Sequence, residues 1–342
     1  MKSQNLDHLS DDYRERYLAL FLLVVVFLLF ALSLNTGNIS LNIIGGLSDI
    51  LNGNYSIDSL IIYEIRLPRT LLAIIIGASL GLSGAALQGM VRNPLAEPGV
   101  IGVSSSAALG AVIVFYFGLR TAFPLALPLG GIIGALVAVV FLYALTANNN
   151  SMLTLILAGV AVSSLAAALT ALALNLAPNP YASLEIFFWL MGSLSDRSFT
   201  HVWLIIPPTF LGWWLILSVR RDLDALSLGE DTAQSLGVQI QRLNKRIILG
   251  VALSVGAAVS VSGGIGFVGL VVPHILRPFV GYQPGRLLIS SALGGALLLL
   301  AADIVVRLLP TQQELKIGVL TALLGAPFFL HLILKSKREW AS

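Results

Sequence analysis

The 342-residue sequence contains no cysteine, and only 11% of its residues are charged. The first absence excludes a disulfide framework and any thiolate metal site; the redox compartment stays unread. The second excludes a soluble globular domain, in which about 25% of residues carry charge. No G-x-x-x-x-G-K-[ST] occurs and none of the five lysines follows a glycine, so the chain cannot cradle a nucleotide phosphate. There is no H-E-x-x-H helix and no G-x-S-x-G elbow, and His8, His201, His274 and His331 are too far apart for a local metal cluster. The chain is therefore read as having no catalytic residue, no metal ligand and no cofactor of its own.

What is present is apolar length. Hydrophobic residues make up 57% of the chain, and the mean hydropathy is +0.90. A helix crossing the hydrocarbon core needs about 20 mostly apolar residues, and Leu18 to Leu34 is apolar on every face except at Ser33, which suits a helix and not the alternating strand of a barrel. Hydropathy and chain breakers place ten spans near 17–34, 69–91, 99–118, 124–146, 152–176, 201–219, 247–263, 265–280, 287–309 and 314–334. Residues 17–34 are read as the first span: the run is too long for a signal peptide and no A-x-A site follows it. The pI near 9.3 does not indicate nucleic acid, because the basic residues are scattered and form no stripe. With ten spans both termini lie on one side, and placing them inside puts fourteen of the twenty Lys and Arg inside, against Arg66, Arg69, Arg120, Arg197, Arg307 and Lys316 outside. The expectation is an all-α integral protein of the bacterial cytoplasmic (inner) membrane, one permease domain over 1–342.

The polar stretch 220–246 falls inside. Its core, DALSLGEDTAQSLG from Asp224 to Gly237, has helical apolar spacing, glycine stops at 229 and 237, and acidic Glu230 and Asp231 opening a second short helix. It reads either as a solvated connection or as an element that receives force from a partner. Outside, Pro178 to Ser198 carries Tyr181, Phe187, Phe188 and Trp189, the signature of a short interfacial helix. Glycine clusters at 77–89 and 254–269 allow helix backbones to approach. Proline-containing breaks at 92–99 and 272–278 follow them, so each half carries an interrupted helix, as in inverted five-plus-five transporters. Asp303 and Arg307, four apart, can pair along one helix. Their pairing either makes insertion tolerable or frees the outward end for docking. The other acidic residues sit in loops or at helix ends, which argues against an ion-coupled secondary transporter.

Six segments, RLPRTLLAIIIGASLGLSGAALQGMVRNPLAEPGVIGVSSSAALG (66–110), FWLMGSLS (188–195), LGEDTAQSLGV (228–238), SGGIGFVGLVVPHILRPFVG (262–281), AADIVVR (301–307) and GVLTALLGAPFFLHLIL (318–334), resemble the permease subunits of type II ABC importers for siderophores, haem and vitamin B12. The resemblance implies ten helices, a dimer with a second permease copy, two ATP-binding cassette ATPase subunits that bind ATP and Mg, and an extracytoplasmic solute-binding protein. It places ATPase coupling on Leu228, Gly229, Glu230, Ala233, Leu236 and Gly237, and binding-protein docking on Arg66, Arg69 and Arg307. It places the cytoplasmic gate at Asn149, Asn150, Ser151 and Met152. Relatives often carry proline at the position of Lys316, which either adds a fourth basic contact or is tolerated at a helix end. The expected cargo is an iron chelate, with vitamin B12 as the alternative; an exporter would have no use for the docking arginines.

Overall fold

The computed structural model describes residues 2–341 other than 38, 55, 120–122, 124, 147–151, 178 and 312, with side chains described from residue 14 to 334 apart from these and 333. The described residues form helices and connections only. In chain order the helices are α1 (Lys2–Asn35), α2 (Ile43–Asn52), α3 (Ile57–Ile61), α4 (Leu67–Val91), α5 (Val103–Tyr116), α6 (Ala126–Thr146), α7 (Met152–Asn175), α8 (Pro180–Leu190), α9 (Phe199–Leu217), α10 (Arg220–Leu226), α11 (Glu230–Ser235), α12 (Ile240–Ser262), α13 (Val268–Leu276), α14 (Pro284–Leu308) and α15 (Ile317–Ala341). Seven of these, α1, α4, α6, α7, α9, α12 and α14, are long and apolar enough to cross a membrane, and the shorter apolar α5, α13 and α15 complete the ten. The fold class expected from hydropathy is the one observed, and α8 is the short helix expected between spans five and six.

Burial separates centre from periphery. The apolar windows of the segment ending in α4, of α12 and of α14 are 83%, 78% and 61% buried, whereas that of α1 is 17% buried, so α4, α12 and α14 form the core. On the outside, Phe21, Phe27, Leu157, Trp203 and Trp214 are exposed, as apolar side chains facing lipid should be. Small residues explain the tight centre: a Cβ at Gly77, Gly81 or Gly84 would collide with the backbone of Gly295, Ser291 or Gly269. Backbones in such contact gain the dispersion energy that replaces a hydrophobic drive within lipid.

The pairing repeats between halves. α4 packs on α14 and α13, while α12 packs on α6 and α5; α5 packs on α6 and α7, while α13 packs on α14 and α15. Exchanging each span with the one five later maps the first set of contacts onto the second, which is the inverted five-plus-five relation. The opening span of each half departs from it, since α1 lies on α14 whereas α9 lies on α12.

Two details differ from the sequence expectation. The second span begins earlier: α3 runs through a π turn at Ile62–Arg66 into α4, because Pro68 has no N–H for the α-helical bond to residue 64. The second interruption lies at Gly263–Phe267 rather than at 272–278. Gly263 and Phe267 take positive φ (73° and 67°) and end α12, whereas Pro273 sits inside α13. The Gly269 carbonyl, which Pro273 cannot serve, accepts from Gln88 Nε2 of α4 at 3.4 Å. The first interruption is where the sequence put it: Arg92 (φ 53°) ends α4, and Gly102 (φ 80°) opens α5.

Candidate functional site

One end of the bundle carries the polar segment. Gly229 (φ 109°) and Gly237 (φ 87°) adopt backbone angles that side chains disfavour, and between them α11 turns back onto the bundle. Leu223, Leu226 and Ala233 point inward and are fully buried, while Leu228 and Leu236 stand out at 65% and 63% exposure; Glu230 is half-buried in the first turn of α11. The mount beneath is firm. Asp224 Oδ1 accepts the backbone N–H of Gly285 at 2.7 Å, in the first turn of α14, where a carboxylate also meets the positive end of the helix dipole. Glu15 of α1 pairs with Arg220 at 2.7 Å and Arg286 at 3.5 Å. Asp224 and Glu15 carry no local motif that announces this role; their partners are 61 and more than 200 residues away.

The opposite end gathers the three arginines selected from the sequence, at the ends of α4 and α14. Arg66 is 5% exposed and donates to the carbonyls of Leu34 at 2.7 Å and Ile39 at 2.5 Å. Arg307 donates to the carbonyls of Ser33 and Thr36 at 2.9 and 3.0 Å and to the Ser33 hydroxyl, and pairs with Asp303 at 2.8 Å. Arg69 pairs with the same Asp303 at 2.8 Å and with Glu314. The pairing of Arg307 with Asp303 is the one expected from their spacing, whereas the internal engagement of Arg66 and Arg69 was not expected from the sequence. They border an open pocket of about 480 Å³ with Thr36, Gly37, Thr311 and Glu314. Glu314 also accepts from the Ser195 hydroxyl at 2.8 Å. Burial pushes its carboxyl up, but hydrogen bonding and charge from Arg69, with Ser195 and Lys316 adding, outweigh this and hold it below the usual glutamate range. Lys316 is half-buried at the start of α15.

Of the expected gate, Asn149, Asn150 and Ser151 lie outside the described residues, and Met152 opens α7, packed against the core. The sequence reading also passed over Glu97. This carboxylate lies between the two interruptions, in a cavity of about 180 Å³ with Ser104, Gly264 and Phe267, rather than on a surface loop. No group of His, Asp and Glu able to hold a metal occurs among the described residues.

A ten-span bundle with a braced polar loop at one end and a buried arginine cluster at the other defines a transport permease. Residues 23–335 match the FecCD transport family, and the chain belongs to that family. It is an ABC importer permease. It is 40% identical over 284 residues to the hemin transport system permease protein of Yersinia pestis, covering 81% of this chain and 84% of that one. It is also 40% identical over 282 residues to the vitamin B12 import system permease protein of Vibrio cholerae, covering 82% and 85%. A metal-chelate type ABC transporter solved in an inward-facing conformation superposes with a TM-score of 0.80 at 33% identity, over 94% of this chain and 99% of that one.

Proposed function

We propose that this single-domain chain forms, with a second copy, the membrane pathway of an importer that carries an iron chelate, a ferric siderophore or haem, across the bacterial cytoplasmic membrane. Both termini and the segment 220–246 face the cytoplasm, in keeping with the excess of Lys and Arg at that end. Two ATPase subunits, which hold ATP and Mg, grip Leu228 to Gly237 there. A solute-binding protein delivers cargo at the arginine end. The single observation that carries this reading is the pair of exposed leucines on a loop anchored to α14 and α1: an apolar knob on a stiff mount suits a part that is pushed. ATP binding draws the two ATPases together, the loop moves with them, and α14 carries the displacement to the core.

The hemin relative and the metal-chelate transporter support an iron chelate. Vitamin B12 is the second reading, favoured by the equally similar Vibrio cholerae relative. Proteoliposomes holding the permease and its ATPase, given cognate binding protein loaded with ferric siderophore, haem or vitamin B12, decide between them. ATP-dependent uptake of siderophore or haem is the expected result. Uptake of vitamin B12 alone replaces the cargo, and uptake of none with an active ATPase overturns import of these chelates.

A further inference from the structure

At the arginine end almost every acceptor is fixed. The guanidinium groups of Arg66, Arg69 and Arg307 donate to the backbone carbonyls of Ser33, Leu34, Thr36 and Ile39, to the buried Ser33 hydroxyl and to Asp303, which is 1% exposed on α14. Glu314 is the exception. It stands in the connection between α14 and α15, its side chain is 34% exposed, and it lines the same open pocket as the three arginines. The region holds four cations, Arg66, Arg69, Arg307 and Lys316, against three carboxylates, Asp58, Asp303 and Glu314, a balance of +1 (four minus three). An incoming acid is thus favoured by charge. Yet it can reach Arg69 only where an acceptor is able to leave, and Asp303 cannot leave without stranding two buried cations.

We infer that Glu314 occupies, in the free permease, the seat that an acidic side chain of the solute-binding protein takes on docking. The inference rests on the docking reading above and names the residue that regulates it. The exchange replaces one carboxylate by another on Arg69. Glu314 then releases both Arg69 and Ser195, so the connection leading into α15 is freed from α4 and from the 191–198 segment in one step. A contact that must break before docking weakens docking by its own equilibrium constant, and docking weakens the contact by the same factor.

The test is the affinity of the cognate binding protein for the permease–ATPase complex in nanodiscs, for wild type, Glu314→Gln and Glu314→Ala, at low and high salt. Hydrogen exchange over residues 309–320 is followed in parallel. The expected result is binding tightened roughly 1.5- to 5-fold by either substitution, the scale of losing one partly exposed ion pair. Hydrogen exchange over 309–320 in the undocked variants should already match that of docked wild type. Unchanged or weaker binding in both variants overturns the inference. The docking reading is judged separately: wild-type affinity insensitive to salt means that charges do not hold the binding protein there, whatever the variants do.

Discussion

Truncating Leu228 and Leu236 to alanine tests the coupling element most directly. Full burial of a leucine side chain is worth about 1.5–3 kcal/mol. At 65% and 63% exposure roughly two-thirds of that remains to be gained against a partner, or about 1–2 kcal/mol each and about 2–4 kcal/mol for the pair. At about 1.4 kcal/mol per decade, the double substitution should weaken ATPase binding roughly 30- to 700-fold. The fold should survive, since neither side chain is in the core. Titration of labelled ATPase onto the permease in nanodiscs measures the affinity, and substrate-stimulated ATP hydrolysis measures coupling. Leu157→Ala, at an equally exposed leucine on α7, is the control and should change neither. A loss below about 3-fold with stimulation intact would refute the argument, because it would mean that the knob meets no partner.

Gly81→Val should prevent stable assembly of α4 on α14, because its Cβ would enter the Ser291 backbone; Gly266→Ala, with nothing within 4 Å, should leave the melting temperature in detergent unchanged. Asp303→Asn leaves Arg69 and Arg307 without their shared buried counter-ion and should destabilise by about 3–5 kcal/mol, read as a large drop in melting temperature. The Glu314 carboxyl titrates below its ordinary 4.5 in the folded chain. Its contact with Arg69 is therefore fully present above about pH 4.5 and lost as the pH falls through the depressed folded value. Hydrogen exchange over 309–320, corrected for the intrinsic pH dependence of amide exchange, should rise on acidification in wild type and stay flat in Glu314→Gln.

Hydropathy together with chain breakers located the spans, because a helix crossing the hydrocarbon core must be mostly apolar, and glycine spacing marked the faces of α4 and α12 where backbones touch. The polar segment 220–246 was conspicuous because no other connection between spans carries as many charged residues. The pair of Arg307 with Asp303 was legible from its i,i+4 spacing, but the rest of the arginines' internal use was not. Arg66 and Arg307 bind carbonyls 32 and 274 residues away, and backbone acceptors leave no mark in a sequence. The boundary between the seventh and eighth spans was placed at 263–265, but the interruption was assigned to 272–278 because proline is a visible breaker, whereas the break is made by φ reversal at Gly263 and Phe267. Glu97 was passed over because its neighbours read as a loop, yet the fold brings that loop against the second interruption.

One helix joins the two ends. Gly285, in the first turn of α14, is held by Asp224 of the polar segment, and Asp303, near its last turn, is held by Arg69 and Arg307. Between them α14 is a rod that rises 18 residues, about 27 Å, pressed on α4 along the line where Gly77 and Gly81 meet Gly295 and Ser291. Such a rod cannot absorb a push by bending, because small-residue contacts leave no slack for sliding. Events at the ATPase end should therefore be felt at the arginine end, and reciprocity requires the converse. The consequence can be measured as the change in binding-protein affinity when a non-hydrolysable ATP analogue is added. In wild type the analogue should shift that affinity. In Asp224→Ala, which unpins the first turn of α14 without touching either partner, the shift should shrink while nucleotide binding is unchanged. An undiminished shift would mean that force travels by another path, such as α1 with its Glu15 bridge to Arg220 or Leu223 packed against Gly89 of α4.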